Sequence, residues 1–316
     1  MKKILFTLLL FFIFSNCFAS PVFDFNEEEF VINMLWHETA KLQNGERPKI
    51  ALVLGGGGAR GFAHIGVFRV LEEEKIPVDL VVGTSIGSIV GAFYCAGIAM
   101  DKVEELAKDV NWKSISNISV TSIMSMLFSE KLLSNAQIED FLKNNIGDLR
   151  FDQLKIPFVC VATDLNTGER VLFKNGSVAF AARASSTLPG FFKPVEYRQR
   201  YLVDGGLADN VPVGVAKLFN PDIIIAVPVS ADITKNTTTN VFTTLMQAIY
   251  IQGRTLDREN ISLADVIIHP DVGEMSAADL EHAYQTVEKG FSAAKESLKN
   301  VKMAIINKTQ EKYLFE

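Results

Sequence analysis

Apolar and polar positions along the chain follow two periods. Residues 49–54, 78–82, 157–164 and 222–229 are near-continuous aliphatic runs of strand length, as expected for strands buried on both faces. Helical spacing takes over after each of the first two, in the run to residue 74 and in the small-residue segment after Gly87, and returns at 101–110, 134–145, 177–184, 241–256 and 277–298. Asn166-Thr167-Gly168 marks a hairpin turn between 157–164 and Arg170–Phe173, and shorter strands are expected at 201–203 and 266–269. Strand–helix alternation of this kind predicts an α/β fold with a mostly parallel central sheet. The predicted organisation is an acidic, partly helical arm over 20–48, a main domain over 49–230, and a C-terminal α/β extension over 231–316 packed on it. There are no internal repeats, and the one polar loop of note is 235–240.

The first residues follow a different logic. Lys2-Lys3 is a basic start, residues 4–14 are apolar apart from Thr7, and Ser15 to Ala19 is a small, polar exit. This reads as a secretory signal peptide over 1–19, too short to span a bilayer comfortably, with cleavage after Ala19 and the periplasm or the medium as the expected destination. Its removal takes away two lysines and no acid, moving the formal net charge from −6 to −8. A mature protein of that charge is a poor nucleic-acid partner. Cys17 leaves with the signal; Cys95 and Cys160 sit in apolar helix and strand patterns, as buried free thiols or as a disulfide pair. No Cys/His cluster has metal-ligand spacing, and no cofactor is expected.

Three stretches carry chemistry. Gly83-Thr84-Ser85-Ile86-Gly87 joins the strand at 78–82 to a helix, the setting of a nucleophile elbow, in which Ser85 stands on a tight corner with the helix N–H groups at hand. A turn with a capping serine has the same pentapeptide. Gly55-Gly56-Gly57-Gly58-Ala59-Arg60-Gly61 follows the first strand and opens a helix, so its backbone N–H groups can cradle an anion. The same glycines satisfy a dinucleotide fingerprint, but the nearby acid, Asp79, begins the second strand rather than ending it. By the right-handed crossover rule the glycine loop and Ser85 share one sheet edge. Asp204-Gly205-Gly206 ends the strand at 201–203 and leaves the carboxylate open on one side, although Asp-Gly is also a hairpin signal. Asp164 at another strand end is either catalytic or a turn cap.

Taken together, and in this order and spacing over 49–230, Gly56-Gly57-Gly58-Ala59-Arg60-Gly61, Gly83 to Gly87 and Asp204-Gly205-Gly206 resemble the bacterial branch of the patatin-like phospholipases, as does the block from Ala184-Ser185 to Pro189, Phe192 and Pro194. The resemblance implies a three-layer α/β/α sandwich. It implies a Ser85–Asp204 dyad without histidine or metal, and an oxyanion loop at Gly56, Gly57, Gly58, Arg60 and Gly61. Gly83, Gly87, Gly205 and Gly206 shape the site. The implied substrates are phospholipids, lysophospholipids or simpler acyl esters, met at a transient membrane surface; oligomeric state stays open.

Four readings remain open. His269 and His282 follow Asp204, so chain order also fits a Ser-Asp-His triad. A lipid- or membrane-binding protein could keep the fold without turnover. His64 either lines the site or packs, and the Ile-, Met- and Phe-rich stretch 112–133 is either internal packing or an apolar lid.

Overall fold

Ile50, Leu52 and Leu54 of strand β1 (Ile50–Leu54) enter one apolar layer while Ala51 and Val53 enter another, so the first strand is buried on both faces. The computed structural model that shows this describes residues 27–110, 133–230 and 241–315. The expected signal peptide, most of the 112–133 stretch and the 235–240 loop lie outside those residues.

β1 leads through a short 3-10 turn to helix α2 (Ala63–Glu73), numbered after α1 (Glu27–Thr39) of the arm. β2 (Leu80–Thr84) and α3 (Ile86–Ala96) follow, then α4 (Met100–Lys108), α5 (Ala136–Ile146), β3 (Phe158–Asp164), β4 (Arg170–Phe173) and α6 (Val178–Ser185). β5 (Val195–Tyr197), β6 (Arg200–Asp204), α7 (Val213–Lys217), β7 (Ile223–Val227), α8 (Val241–Ile261), β8 (Val266–Ile267) and α9 (Thr286–Phe315) complete the order. The sheet runs β5-β6-β3-β2-β1-β7-β8, with β4 also paired to β3. β3-β2-β1-β7-β8 are parallel, whereas β4, β5 and β6 form the antiparallel end. One face carries α2, α3, α6 and α9 on a large core around Phe68, Phe93 and Leu142. The opposite face is thinner and closed by Val213, Val215 and Ala216 of α7. The result is an α/β fold with a mostly parallel central sheet.

β8 continues the same sheet, and α9 lies so close to α2 that a Cβ on Gly66 or Gly290 would strike the other helix's backbone. The arm joins them: Ile32 and Trp36 of α1 are buried, and Lys302 Nζ lies 5.8 Å from the Trp36 ring.

Two expected elements end elsewhere. The strand expected over 266–269 is shorter: Val266 and Ile267 pair with Ile225 and Ala226, Ile268 N–H donates to Ala226 O, and Pro270 has no N–H to carry the ladder further. The helix expected from Ala277 starts at Thr286. Ser276 Oγ and Asp279 Oδ1 accept backbone N–H groups of Ala278 and His282 and hold 276–282 in turns. Cys95 and Cys160 are buried free thiols, and burial pushes both pKa values up.

Candidate active site

The site forms where two strand ends abut on β3. Thr84, the last residue of β2, pairs with Val161, and Asp204, the last residue of β6, pairs with the next residue, Ala162. β2 runs parallel to β3 and β6 antiparallel, so their carboxyl ends meet head to head. Ser85, one residue past Thr84, thereby faces Asp204, and its hydroxyl donates to Asp204 Oδ2 at 2.6 Å.

The corner is held under strain. Ser85 has φ 54° and ψ −126°, a conformation L residues rarely adopt and one that costs about 1–3 kcal/mol. Ser85 N–H donates to Ser185 Oγ at 2.9 Å, and that hydroxyl donates on to Val161 O at 2.6 Å. Ser85 O accepts the Ser88 hydroxyl at 2.6 Å and starts α3 through Ser88 N–H. Helix and strand approach so closely that a Cβ on Gly87 would strike Leu54 O, and one on Gly83 would sit 2.6 Å from Gly87 O.

Asp204 is 7% exposed. Its Oδ1 accepts Gly206 N–H at 2.8 Å, while its backbone donates to Thr187 O and accepts the Thr163 hydroxyl. Burial pushes its pKa up to about 6, against the pull of the Ser85 and Gly206 hydrogen bonds. Gly205 tolerates no Cβ, since one would run into Val161 O, and Gly206 lies against the Asn210 amide.

The glycine loop reaches the same edge, and its members divide the work differently from the sequence expectation. Gly56 N–H donates to Asn210 O at 3.1 Å, so Gly56 offers clearance rather than a donor: a Cβ there would lie 2.5 Å from Asn210 Oδ1 and 3.0 Å from Ser85 Cβ. Arg60 is a brace. The residue is 5% exposed, its Nε donates to Met275 O at 2.7 Å, and its guanidinium lies 5.9 Å from the centre of the Tyr250 ring. Gly61 makes room for the Ile86 side chain. Gly57 and Gly58 are left: among the described residues neither N–H has a hydrogen-bond partner, while the next, Ala59 N–H, is taken by Ala277 O. Gly58 has φ +58°, which turns the loop and brings it against Ala277. Gly57 and Gly58 N–H are thus the loop donors left free to accept an anion on the edge that Ser85 occupies.

The histidines stand apart. Among the described residues neither His269 nor His282 bonds Ser85 or Asp204; both are exposed, and His282 Nδ1 is 2.9 Å from Asp279 Oδ1. His64 is a packing residue, fully buried with Nε2 2.8 Å from Gly55 O. Asp164 caps its turn by accepting Asn166 N–H and pairs with Arg200. Asp79 lies at the opposite sheet edge, where it accepts both Arg47 Nη atoms at 2.6 and 2.8 Å.

Asp257 of α8 escaped sequence reasoning. It accepts Asn210 Nδ2 at 2.9 Å and Val211 N–H at 3.2 Å, and burial pushes its pKa up to about 6. An acid in a polar helix face carries no local signal of such a role.

Residues 52–217, which contain Ser85, Asp204 and the glycine loop, match the sequence model of the patatin-like phospholipases. An uncharacterised NTE family protein of Mycobacterium tuberculosis is 36% identical over 189 residues, 59% of this chain and 51% of that protein. Human patatin-like phospholipase domain-containing protein 6 is 33% identical over 185 residues, 58% of this chain and 13% of its own length. The chain therefore matches about half the length of the mycobacterial relative. Human GIVD cytosolic phospholipase A2, solved with a fluorophosphonate inhibitor, has a like fold: TM-score 0.51 and 12% identity over 91% of this chain and 64% of that one. The family pattern covers more than half of the sequence and every element that builds the strained serine corner: the chain belongs to the patatin-like phospholipase family.

Proposed function

We propose that the chain is a serine acyl hydrolase of lipid esters working through a Ser85–Asp204 dyad. The observation that carries this reading is the 2.6 Å hydrogen bond from a strained, half-buried Ser85 to a buried carboxylate, beside two open loop N–H groups. Ser85 Oγ attacks the ester carbonyl carbon as its proton passes to Asp204 Oδ2. The carbonyl oxygen takes up the charge and is received by Gly57 and Gly58 N–H. Collapse of the tetrahedral species breaks the acyl–oxygen bond, and Asp204 returns the proton to the departing alcohol. Water, deprotonated by the same carboxylate, then releases the fatty acid and restores Ser85.

A carboxylate near its reference value of about 3.9 is a weak base toward a serine hydroxyl. Burial of Asp204, which moves it to about 6, narrows that gap. Membership of the phospholipase family and the fold shared with a cytosolic phospholipase A2 support phospholipids or lysophospholipids, met at a membrane surface, as the substrate class. Residues 1–19 support export to the periplasm or the medium.

The test is a panel of phospholipids, lysophospholipids and short acyl esters with wild type and Ser85→Ala, alongside labelling by a fluorophosphonate. We expect Ser85→Ala to lose at least about 10³-fold in turnover and all labelling. Retained turnover in the folded variant removes the nucleophile assignment, and an unreactive Ser85 in the folded wild type points to a binding protein instead.

A further inference from the structure

Helix α8 meets the site through a polar seam. Tyr250, Gly253, Asp257 and Asn260 recur at three- and four-residue steps, which places them on one face. Each touches a site loop. The Tyr250 ring lies under the Arg60 guanidinium, a Cβ on Gly253 would be 4.0 Å from Gly206 O, and Asn260 Nδ2 donates to Asp209 Oδ1 at 2.9 Å. Among the α8 residues whose side chains are described, Asp257 is the one fully buried, at 6% exposure. Helices ordinarily bury an apolar stripe, and sinking a carboxylate instead is costly unless its acceptors are used.

They are used on Asn210. An ionised carboxylate can only accept, so Asn210 must turn its NH2 toward Asp257 and its carbonyl oxygen toward Gly56 and Gly206. The second Asp257 oxygen takes Val211 N–H, and the Asn210 backbone oxygen in turn takes Gly56 N–H. Gly56 immediately precedes the two open donors.

We propose that Asp257 is a positioning residue: through Asn210 it holds Gly56 in place and so sets Gly57 and Gly58 N–H against the oxygen that Ser85 attack creates. This rests on the acyl-hydrolase reading above. It gives α8, which touches no reacting atom, control over transition-state binding, and it predicts a defect in turnover rather than in substrate capture.

The full chain is assayed with p-nitrophenyl butyrate as wild type, Ser85→Ala, Asp257→Ala, Asp257→Asn and the double variant Asn210→Asp/Asp257→Asn. Asp257→Ala is expected to lower kcat about 10²-fold, the scale of a misplaced catalytic group, with KM changed less than about threefold. Asp257→Asn keeps the shape but leaves one of the two donors unpaired, and falls in the same direction; it carries the test if the alanine variant does not fold. The double variant restores a carboxylate–amide pair with its polarity reversed, and recovers about tenfold or more of the kcat lost in Asp257→Asn. Wild-type kcat in both single variants overturns the inference, as does a loss shared by kcat, KM and melting temperature with no recovery in the double variant. Equal activity in wild type and Ser85→Ala removes the hydrolase reading itself, whereas failure at Asp257 alone removes only this inference.

Discussion

Ser85 and Asp204 are 119 residues apart in sequence and 2.6 Å apart in space because the strands before them end on consecutive residues of β3. Strand register, not a mobile loop, therefore sets the distance between nucleophile and base. Since Asp204 must be ionised to take the Ser85 proton and its pKa is pushed up to about 6, kcat/KM for a neutral ester should rise as pH increases through about 6 and level off above it. A profile on short acyl esters checks this. A curve flat across that region, or an inflection abolished by replacing His269 and His282 together, contradicts the dyad.

The same burial that makes Asp204 a base should make it a liability to the fold. Its folded pKa, about 6, lies above the model value of 3.8, so the native state holds an extra proton between those values and stability falls as pH rises through them. Asp204→Asn is permanently neutral. It should be inactive yet more stable than wild type at neutral pH by up to about 3 kcal/mol, less whatever its altered hydrogen bonds cost. Urea unfolding at neutral pH and near pH 4 measures it, and a gain that persists undiminished at the acid end is incompatible with this origin.

The sheet was legible because strands buried on both faces leave continuous aliphatic runs, and Ser85, Asp204 and the glycine loop stood at the ends of such runs. Division of labour within the loop was not legible. Gly56 and Gly57 are identical in sequence, yet one N–H is spent on Asn210 O and the other is open, a distinction made by residues about 150 positions away. Ser185 supports the elbow through two hydrogen bonds that cross from α6 to Ser85 and to Val161 of β3, and no local pattern announces them. Asp257 reads as part of a solvated helix face because its burial is created by a loop from elsewhere. The helix expected at Ala277 starts late for a local reason, since serine and aspartate side chains there compete for backbone N–H groups.

Two glycines flanking Ser85 should fail differently when given a methyl group. At Gly87 the new Cβ strikes backbone, Leu54 O and C, which cannot yield without moving β1; Gly87→Ala should cost about 3 kcal/mol and reduce folded yield. At Gly56 it meets chiefly the Asn210 side chain at 2.5 Å and Ser85 Cβ at 3.0 Å. Gly56→Ala should therefore fold with a loss nearer 1 kcal/mol while kcat drops about 10²-fold, as the Asn210 amide and the loop are displaced. Chemical unfolding with parallel ester kinetics separates the two, and equal stability losses with equal kinetics contradict the distinction.

His64 should set the acid limit of the fold with a sign opposite to that of Asp204. Its Nε2 faces Gly55 O and so carries the proton, leaving Nδ1 buried with no partner among the described residues; protonating Nδ1 would place a cation in an apolar layer. Burial lowers its pKa from 6.5 to about 4, outweighing the Gly55 hydrogen bond. Between those values the unfolded chain binds a proton that the native state refuses, so this contribution is complete above 6.5 and is lost as pH falls toward 4. At pH about 5 the loss is about 2 kcal/mol. His64→Gln keeps a donor for Gly55 O and has nothing to titrate. It should be less stable than wild type at neutral pH, through imperfect packing, and that deficit should shrink by about 2 kcal/mol at pH about 5. Urea midpoints for the two proteins at both pH values decide the matter, and stability curves that stay parallel from neutral to acid pH show that His64 is not the group that titrates.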